Sequence, residues 1–412
     1  MLIKRFISIV LALFVLINII PTQTFANQER LPKSAEIAFI REGNLWIKTN
    51  DKERQLTKGN SVQHPIWSHD GHYLAYTKGG NDPQLWVYDV KNNRELKIYD
   101  VDIRQYEWAP QENTLAYQSG NMLMTKVMGD ETQQGVISGV GNFSWMPDGH
   151  GFLVSSVADL LPTGWTQVHI YKVPMDAQMD PTKAKKLATL PKQTNDFFAI
   201  GTSAFKWSSD GKWVSFIASP TASWSMDSNT LCLLSADGKR LITADKMLLN
   251  QDWYQWAPRK NWLAYIEGEG RFAVENKHLK VFVLPLEARP SYTPKGFVDR
   301  GLTWAGENEV IVARAKEAKW DNDPKKRPLP QLYKINIASN KTTRLTQPPK
   351  KYGDFHPEYV DHTLFWVRSN RKTANLMSAH IDGTHPKLSI KNIDEPPVYY
   401  EKRDWSAVVS IK

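Results

Sequence analysis

Six side chains able to bind or move charge stand at matching places along the chain: His64, Arg104, Asp252, Arg300, His356 and Arg403. Each comes two to four residues before a tryptophan or the tyrosine that takes its place. Imidazole, guanidinium and carboxylate gathered at one opening suit a polar ligand or a peptide, held by charge and directed hydrogen bonds. A second group, Lys325-Lys326-Arg327, is bounded by Pro324 and Pro328 in a long insertion. With Lys350-Lys351 it offers stiff basic loops for an acidic partner or an anionic polymer.

Signatures of nucleophilic catalysis do not accompany these residues. No G-x-S-x-G elbow occurs, nor an α/β stretch long enough to hold one. Ser208-Ser209-Asp210-Gly211 lacks the residue that a sialidase-type Asp box needs between Asp and Gly. His69 and His72 flank Asp70-Gly71, and His380 and His385 flank Asp382-Gly383. Such hairpin tips accept imidazole as freely as Lys or Arg, and no H-E-x-x-H or calcium-loop pattern is present, so no metal and no cofactor is expected. Asp321-Asn322-Asp323-Pro324 reads as an Asx-type turn.

The elements that must carry the six residues are announced by a repeat. WSHDGHYLAY (67–76) returns as WAPQENTLAY, WMPDGHGFLVS, WSSDGKWVSF and WAPRKNWLAY. Trp67, Trp108, Trp145, Trp207, Trp256 and Trp304 are spaced by 41, 37, 62, 49 and 48 residues. A seventh copy places Tyr359 at the key position, with His356-Pro357 matching His64-Pro65, and an eighth has Trp405 there. Periods of this length, with β-branched and aromatic runs between turns, predict the four-stranded blades of a β-propeller. In one unit the expected strands are 62–68, 73–77, 85–90 and 95–99, with Asp70-Gly71 making the tight turn. A large aromatic residue recurring once per blade is read as a wedge between neighbouring sheets.

Residues 36–40, 44–48 and 54–57 look like second, third and fourth strands with no first strand before them. A first strand ending at Trp405 would complete that blade, closing the ring from both ends of the chain and removing its exposed edges. The expected fold is therefore all-β, a single propeller over 36–412 with eight blades, or seven if the Trp304 or Tyr359 unit is degenerate.

Trp67-Ser68-His69-Asp70-Gly71, then Leu74-Ala75-Tyr76, then Leu85-Trp86-Val87-Tyr88-Asp89, with Arg54-Gln55-Leu56-Thr57 and Arg344-Leu345-Thr346 as outer strands, resembles the TolB-like, WD40-like propeller repeats. The resemblance implies the fold over nearly all of 36–405. For function it implies only a choice, since such repeats serve translocation-type periplasmic binding proteins and the propeller halves of serine peptidases. The Trp108 and Trp256 copies depart from the pattern by lacking Asp-Gly, and Trp304 is followed by Ala-Gly-Glu-Asn.

Residues 1–26 read as a secretory signal peptide: Lys4 and Arg5, an apolar run from Phe6 to Ile20, and small residues up to Ala26. A short lead-in, 27–35, would follow, and the protein would act outside the cytoplasm. Cys232 is the sole cysteine, so no intrachain disulfide forms and packing alone must stabilise the chain. A net charge of +9 favours anionic envelope components over nucleic acid as counterparts of an exported protein. Together these features favour an exported, non-catalytic propeller that docks a protein or cell-envelope component through the channel mouth and inserted loops. The alternative is an enzyme acting on a polysaccharide or small metabolite at that mouth.

Overall fold

A computed structural model describes residues 35–412 apart from 60, 285, 286 and 289. The expected signal peptide, and the lead-in except Ala35, lie outside the described residues. The described residues form eight antiparallel sheets in sequence order that are built as propeller blades, beside two short two-stranded hairpins. In the second blade the strands are Val62–Trp67, Tyr73–Lys78, Gln84–Asp89 and Arg94–Tyr99, within a residue or so of expectation. Blades three to eight occupy 103–138, 140–189, 201–247, 254–288, 297–344 and 353–393. The inner strand of the fifth is split into Gly201–Thr202 and Lys206–Trp207.

Blade one is completed from both ends of the chain. Ile37–Arg41 pairs with Asn44–Thr49 on one side and with Val409–Ile411 on the other. The ring thus has eight blades, and the degenerate Tyr359 and Trp304 units are complete ones. The closing strand does not end at Trp405 as expected. Trp405 starts a 3-10 turn, Trp405–Ala407, that drops its indole against Phe355, and the strand begins only after that turn.

The tryptophans fill the interfaces as the repeat predicts, and they do more. Trp67, Trp108, Trp145, Trp256 and Trp304 are all buried, while Trp207 is half-buried. The apolar core is a series of clusters, each lying between neighbouring blades. Across these interfaces five of the six indole N–H groups donate to a carbonyl of the preceding blade. Trp108 bonds Ile66 (3.0 Å), Trp145 bonds Glu107 (3.1 Å), Trp256 bonds Lys206 (2.9 Å) and Trp304 bonds Gln255 (2.9 Å). Trp207 shifts by one residue and bonds Trp145 (3.0 Å). The indole N–H of Trp67 faces the closing blade and makes no hydrogen bond.

The copies lacking Asp-Gly have a packing reason for their departure. Asn113 donates to Asp70 at 2.6 Å and Asn261 donates to Asp210 at 2.8 Å, so each irregular turn latches onto the regular turn of the blade before it. Within the regular turns the Ser hydroxyls of Ser68 and Ser208 bond Asp70 and Asp210, and the next strand starts by donating back to the same hydroxyls.

Candidate functional site

Four of the six mouth residues sit at a shared irregularity. The inner strands carry β-bulges between Gln63 and Ile66, Ile103 and Gln105, Asp299 and Leu302, and Phe355 and Glu358. His64, Arg104, Arg300 and His356 are the bulged residues. A bulge bends the strand and re-aims one side chain, which here turns it out of the pleat. His64 and His356 adopt φ of +55° and +48°, a strained choice for non-glycine residues. The proline after each fixes the chain into the next strand segment.

His64, Arg104, Asp252 and Arg403 line one cavity of about 1010 Å³ at the channel mouth. Asp252 and His356 line a second of about 230 Å³ on the channel wall. Arg300 borders neither. In the larger cavity His64 Nε2 meets Asp404 Oδ2 at 3.4 Å, and Arg104 stays exposed beside Asp102 at 3.6 Å. In the smaller one His356 bridges two carboxylates, Glu358 at 2.6 Å and Asp252 at 3.7 Å. Burial alone would push the His356 imidazole down, but the carboxylates of Glu358, Asp252 and Asp404 outweigh it and raise it to about 9. Burial raises Asp252 against the pull of His356 and Lys206. Asp252 is held on a short turn, Gln251–Trp253, whose start is capped by Asn250.

Sequence reasoning missed a second ring. The residue just before each key aromatic lines one or other cavity: Ile66, Glu107, Ser144 and Lys206 in the larger, Gln255, Thr303 and Glu358 in the smaller, and Lys206 in both. The signal was present, since strand alternation turns the neighbour of an interface-facing tryptophan toward the axis. Two of these groups are perturbed. Burial pushes Glu107 up to about 8, opposed by the Trp145 N–H and by Ser144. Burial lowers Lys206, whose ammonium bonds the carbonyls of Gln251 (2.5 Å) and Tyr254 (3.2 Å). Among the described residues no group of three or more His, Cys, Asp or Glu side chains is arranged to hold a metal ion.

The expected basic loop divides. Lys326 points to solvent beside Asp321 at 3.1 Å, on the short turn Pro324–Lys326 whose start Asp323 caps. Arg327 turns inward, lies 3.9 Å over the Trp320 ring and pairs with Glu401 at 2.9 Å. Glu401 belongs to a hairpin, Val398–Tyr399 with Lys402–Arg403, inserted between the last blade and the closing strand. Tyr400 and Glu401 form its turn at φ of +52° and +65°, the hand that two-residue hairpins favour. The hairpin reaches the loops of blades five to seven. Lys402 bonds the Leu249 carbonyl at 2.7 Å, Ala273 N–H donates to the Tyr400 carbonyl at 3.0 Å, and the Tyr400 ring meets Phe272 and Trp320 edge-on.

No protein-family model and no curated protein matches the chain. Solved structures do. Dipeptidyl peptidase 4 from Porphyromonas gingivalis superimposes with a TM-score of 0.57 at 11% identity, over 87% of this chain and 59% of that one. A puromycin-hydrolyzing peptidase from Mycobacterium tuberculosis gives 0.53 at 13% identity, over 83% and 55%. TolB from Acinetobacter baumannii gives 0.40 at 15% identity, over 61% and 62%. The chain thus spans little more than half the length of the two peptidases. At these identities the likeness is one of fold, and the TolB score is too low to bear on the family. Dipeptidyl peptidase 4 and the puromycin-hydrolyzing peptidase, both matched above a TM-score of 0.5, are enzymes, which corrects the expectation of a non-catalytic binder.

Proposed function

We propose that this propeller belongs to a peptide-hydrolysing enzyme and that its channel mouth receives the peptide. The observation that carries the reading is the cavity of about 1010 Å³, lined from four consecutive blades and the closing segment. It offers both signs of charge side by side: His64 with Asp404, and Lys206 near Asp252, with Arg104 and Lys402 at its border. A peptide carries both signs too, with amide donors and acceptors at regular intervals, and a mouth of fixed charges can align it by many small contacts. The volume is at the upper end of ordinary ligand pockets, about 300–1,000 Å³, which suits a segment of several residues. Peptidases built on the same fold supply the precedent for an enzymatic setting.

The test is to incubate the full chain with mixed-sequence peptides and follow retention by mass spectrometry. Peptides are expected to be retained. Retention should fall by about tenfold in a Lys206→Met, Asp252→Asn double variant, which keeps side-chain size and removes the charges. Absence of retention by the wild-type chain would overturn the proposal.

A further inference from the structure

The hairpin at 398–403 walls one of the two cavities at the mouth. The larger cavity is lined by residues of blades two to five, by 249–252 and by 402–406, and by nothing from 254–398. The smaller cavity holds residues of blades six to eight. Only Lys206 and Asp252 belong to both. Lys402 and Arg403 of the hairpin wall the larger cavity, and Lys206 and Asp252 stand where the two cavities meet.

Beside the Lys402 and Tyr400 contacts, one buried carboxylate fastens it. Glu401 is fully buried and meets four guanidinium groups: Arg327 at 2.9 Å, Arg403 at 3.1 Å, Arg371 at 3.2 Å and Arg300 at 3.6 Å. Burial would raise its pKa, but Arg403, Arg300 and Arg371 hold it at about 2, so it stays charged. The other acid nearby is Glu395, 3.6 Å from Arg403. The cage is thus over-supplied with cations. Arg300 Nε is buried without a hydrogen bond, and Arg300 Nη1 and Arg403 Nε reach Glu401 and Glu395 only at 3.6 Å, as ion pairs beyond hydrogen-bond distance. Buried donors without partners are costly, and planar guanidinium groups in excess are the usual recognition device for a carboxylate. The hairpin has little else of its own: two residue pairs, with Val398 and Tyr399 exposed. Two-stranded hairpins of this size are marginal unless docked.

We propose that the Arg300, Arg327, Arg371 and Arg403 cage is a binding site for the carboxylate of a peptide ligand, and that Glu401 fills it as an internal stand-in. A ligand carboxylate that takes the place of Glu401 releases the hairpin and opens the wall that Lys402 and Arg403 give the larger cavity. The identity of the ligand rests on the peptide reading above, whereas the cage does not.

The test uses the full chain and acetyl-tetraalanine, as free acid and as carboxamide. Hydrogen exchange at 398–403 reports the hairpin. So does the fluorescence difference between the protein and its Trp320→Phe variant, because Trp320 stacks on Phe272 at 4.6 Å and touches Tyr400. The acid should speed exchange by about tenfold and change the Trp320 signal, the amide should do neither, and Arg371→Ala should abolish the response. In Glu401→Gln, acetate should raise the melting temperature more than chloride of equal strength. If that variant does not fold, the wild-type titration decides. An equal response to acid and amide overturns the cage, as does no response to either with acetate no better than chloride. Should the amide occupy the channel as tightly as the acid and the hairpin stay still, the peptide reading stands and the cage falls. Should acetate stabilise Glu401→Gln while no peptide binds, the cage stands and the peptide reading falls.

Discussion

Trp145 is 2% exposed, and its indole N–H donates to the carbonyl of Glu107 in the blade before it. The two roles can be separated. Trp145→Phe keeps most of the volume and loses the bond, which costs about 1 kcal/mol, whereas Trp145→Ala also leaves a cavity and costs about 3–5 kcal/mol. Half-buried Trp207 should lose less on truncation to Ala than Trp145 does. Urea unfolding of the three variants checks the order, and equal losses at both positions would contradict it. The packing role was legible from recurrence, but the bond was not, because a sequence shows that an indole N–H exists and not which carbonyl faces it. Titration makes a second prediction at this scale. Glu107, raised from 4.5 to about 8, and His356, raised from 6.5 to about 9, both hold protons more tightly when folded. The stability linked to Glu107 is fully present below pH 4.5 and is lost toward pH 8; that linked to His356 is present below pH 6.5 and is lost toward pH 9. The melting temperature should therefore fall between pH 6.5 and 9, and fall less in a Glu107→Gln, His356→Gln double variant. Parallel curves would remove the assignment.

The turns and inner strands show where the repeat informs and where it stops. Asp-Gly turns and strand positions could be read from alternation and turn chemistry to within a residue or so. Asn113 and Asn261 looked like losses of the motif, since their purpose lies in the neighbouring blade, at Asp70 and Asp210. A double-mutant cycle on Asn113→Ala and Asp70→Ala should give a coupling of about 1 kcal/mol, and additive losses would mean that the latch carries no energy. The mouth residues were legible for a related reason: recurrence fixes position along a strand. Direction was not, because a bulge decides it. At the same place His64 and His356 turn to the channel, while Arg300 turns to Glu401 and Pro328. The Glu401 hairpin left no trace in the period at all, since it falls between two repeats.

At the scale of the whole ring, closure pairs Ile37 with Ile411, Ala38 with Ser410 and Phe39 with Val409, extended by backbone bonds between Glu36 and Lys412 and from Ile40 N–H to the Val408 carbonyl. Removing residues 409–412 would bare one edge of Ile37–Arg41 and expose Phe39 and Ile40, both buried now. The expected result is faster protease cutting within 37–55 and self-association, followed by limited digestion and light scattering; a monomer of unchanged resistance would argue against it. The indole bonds run without a break from blade two to blade seven and stop there. Tyr359 replaces the indole of blade eight, and that of Trp67 finds no acceptor in blade one. Six blades thus share one unbroken run of indole bonds, which the remaining two lack. The flap bearing Glu401 is rooted between those two, so the arc that the indole chain leaves out is also the one from which the cover springs.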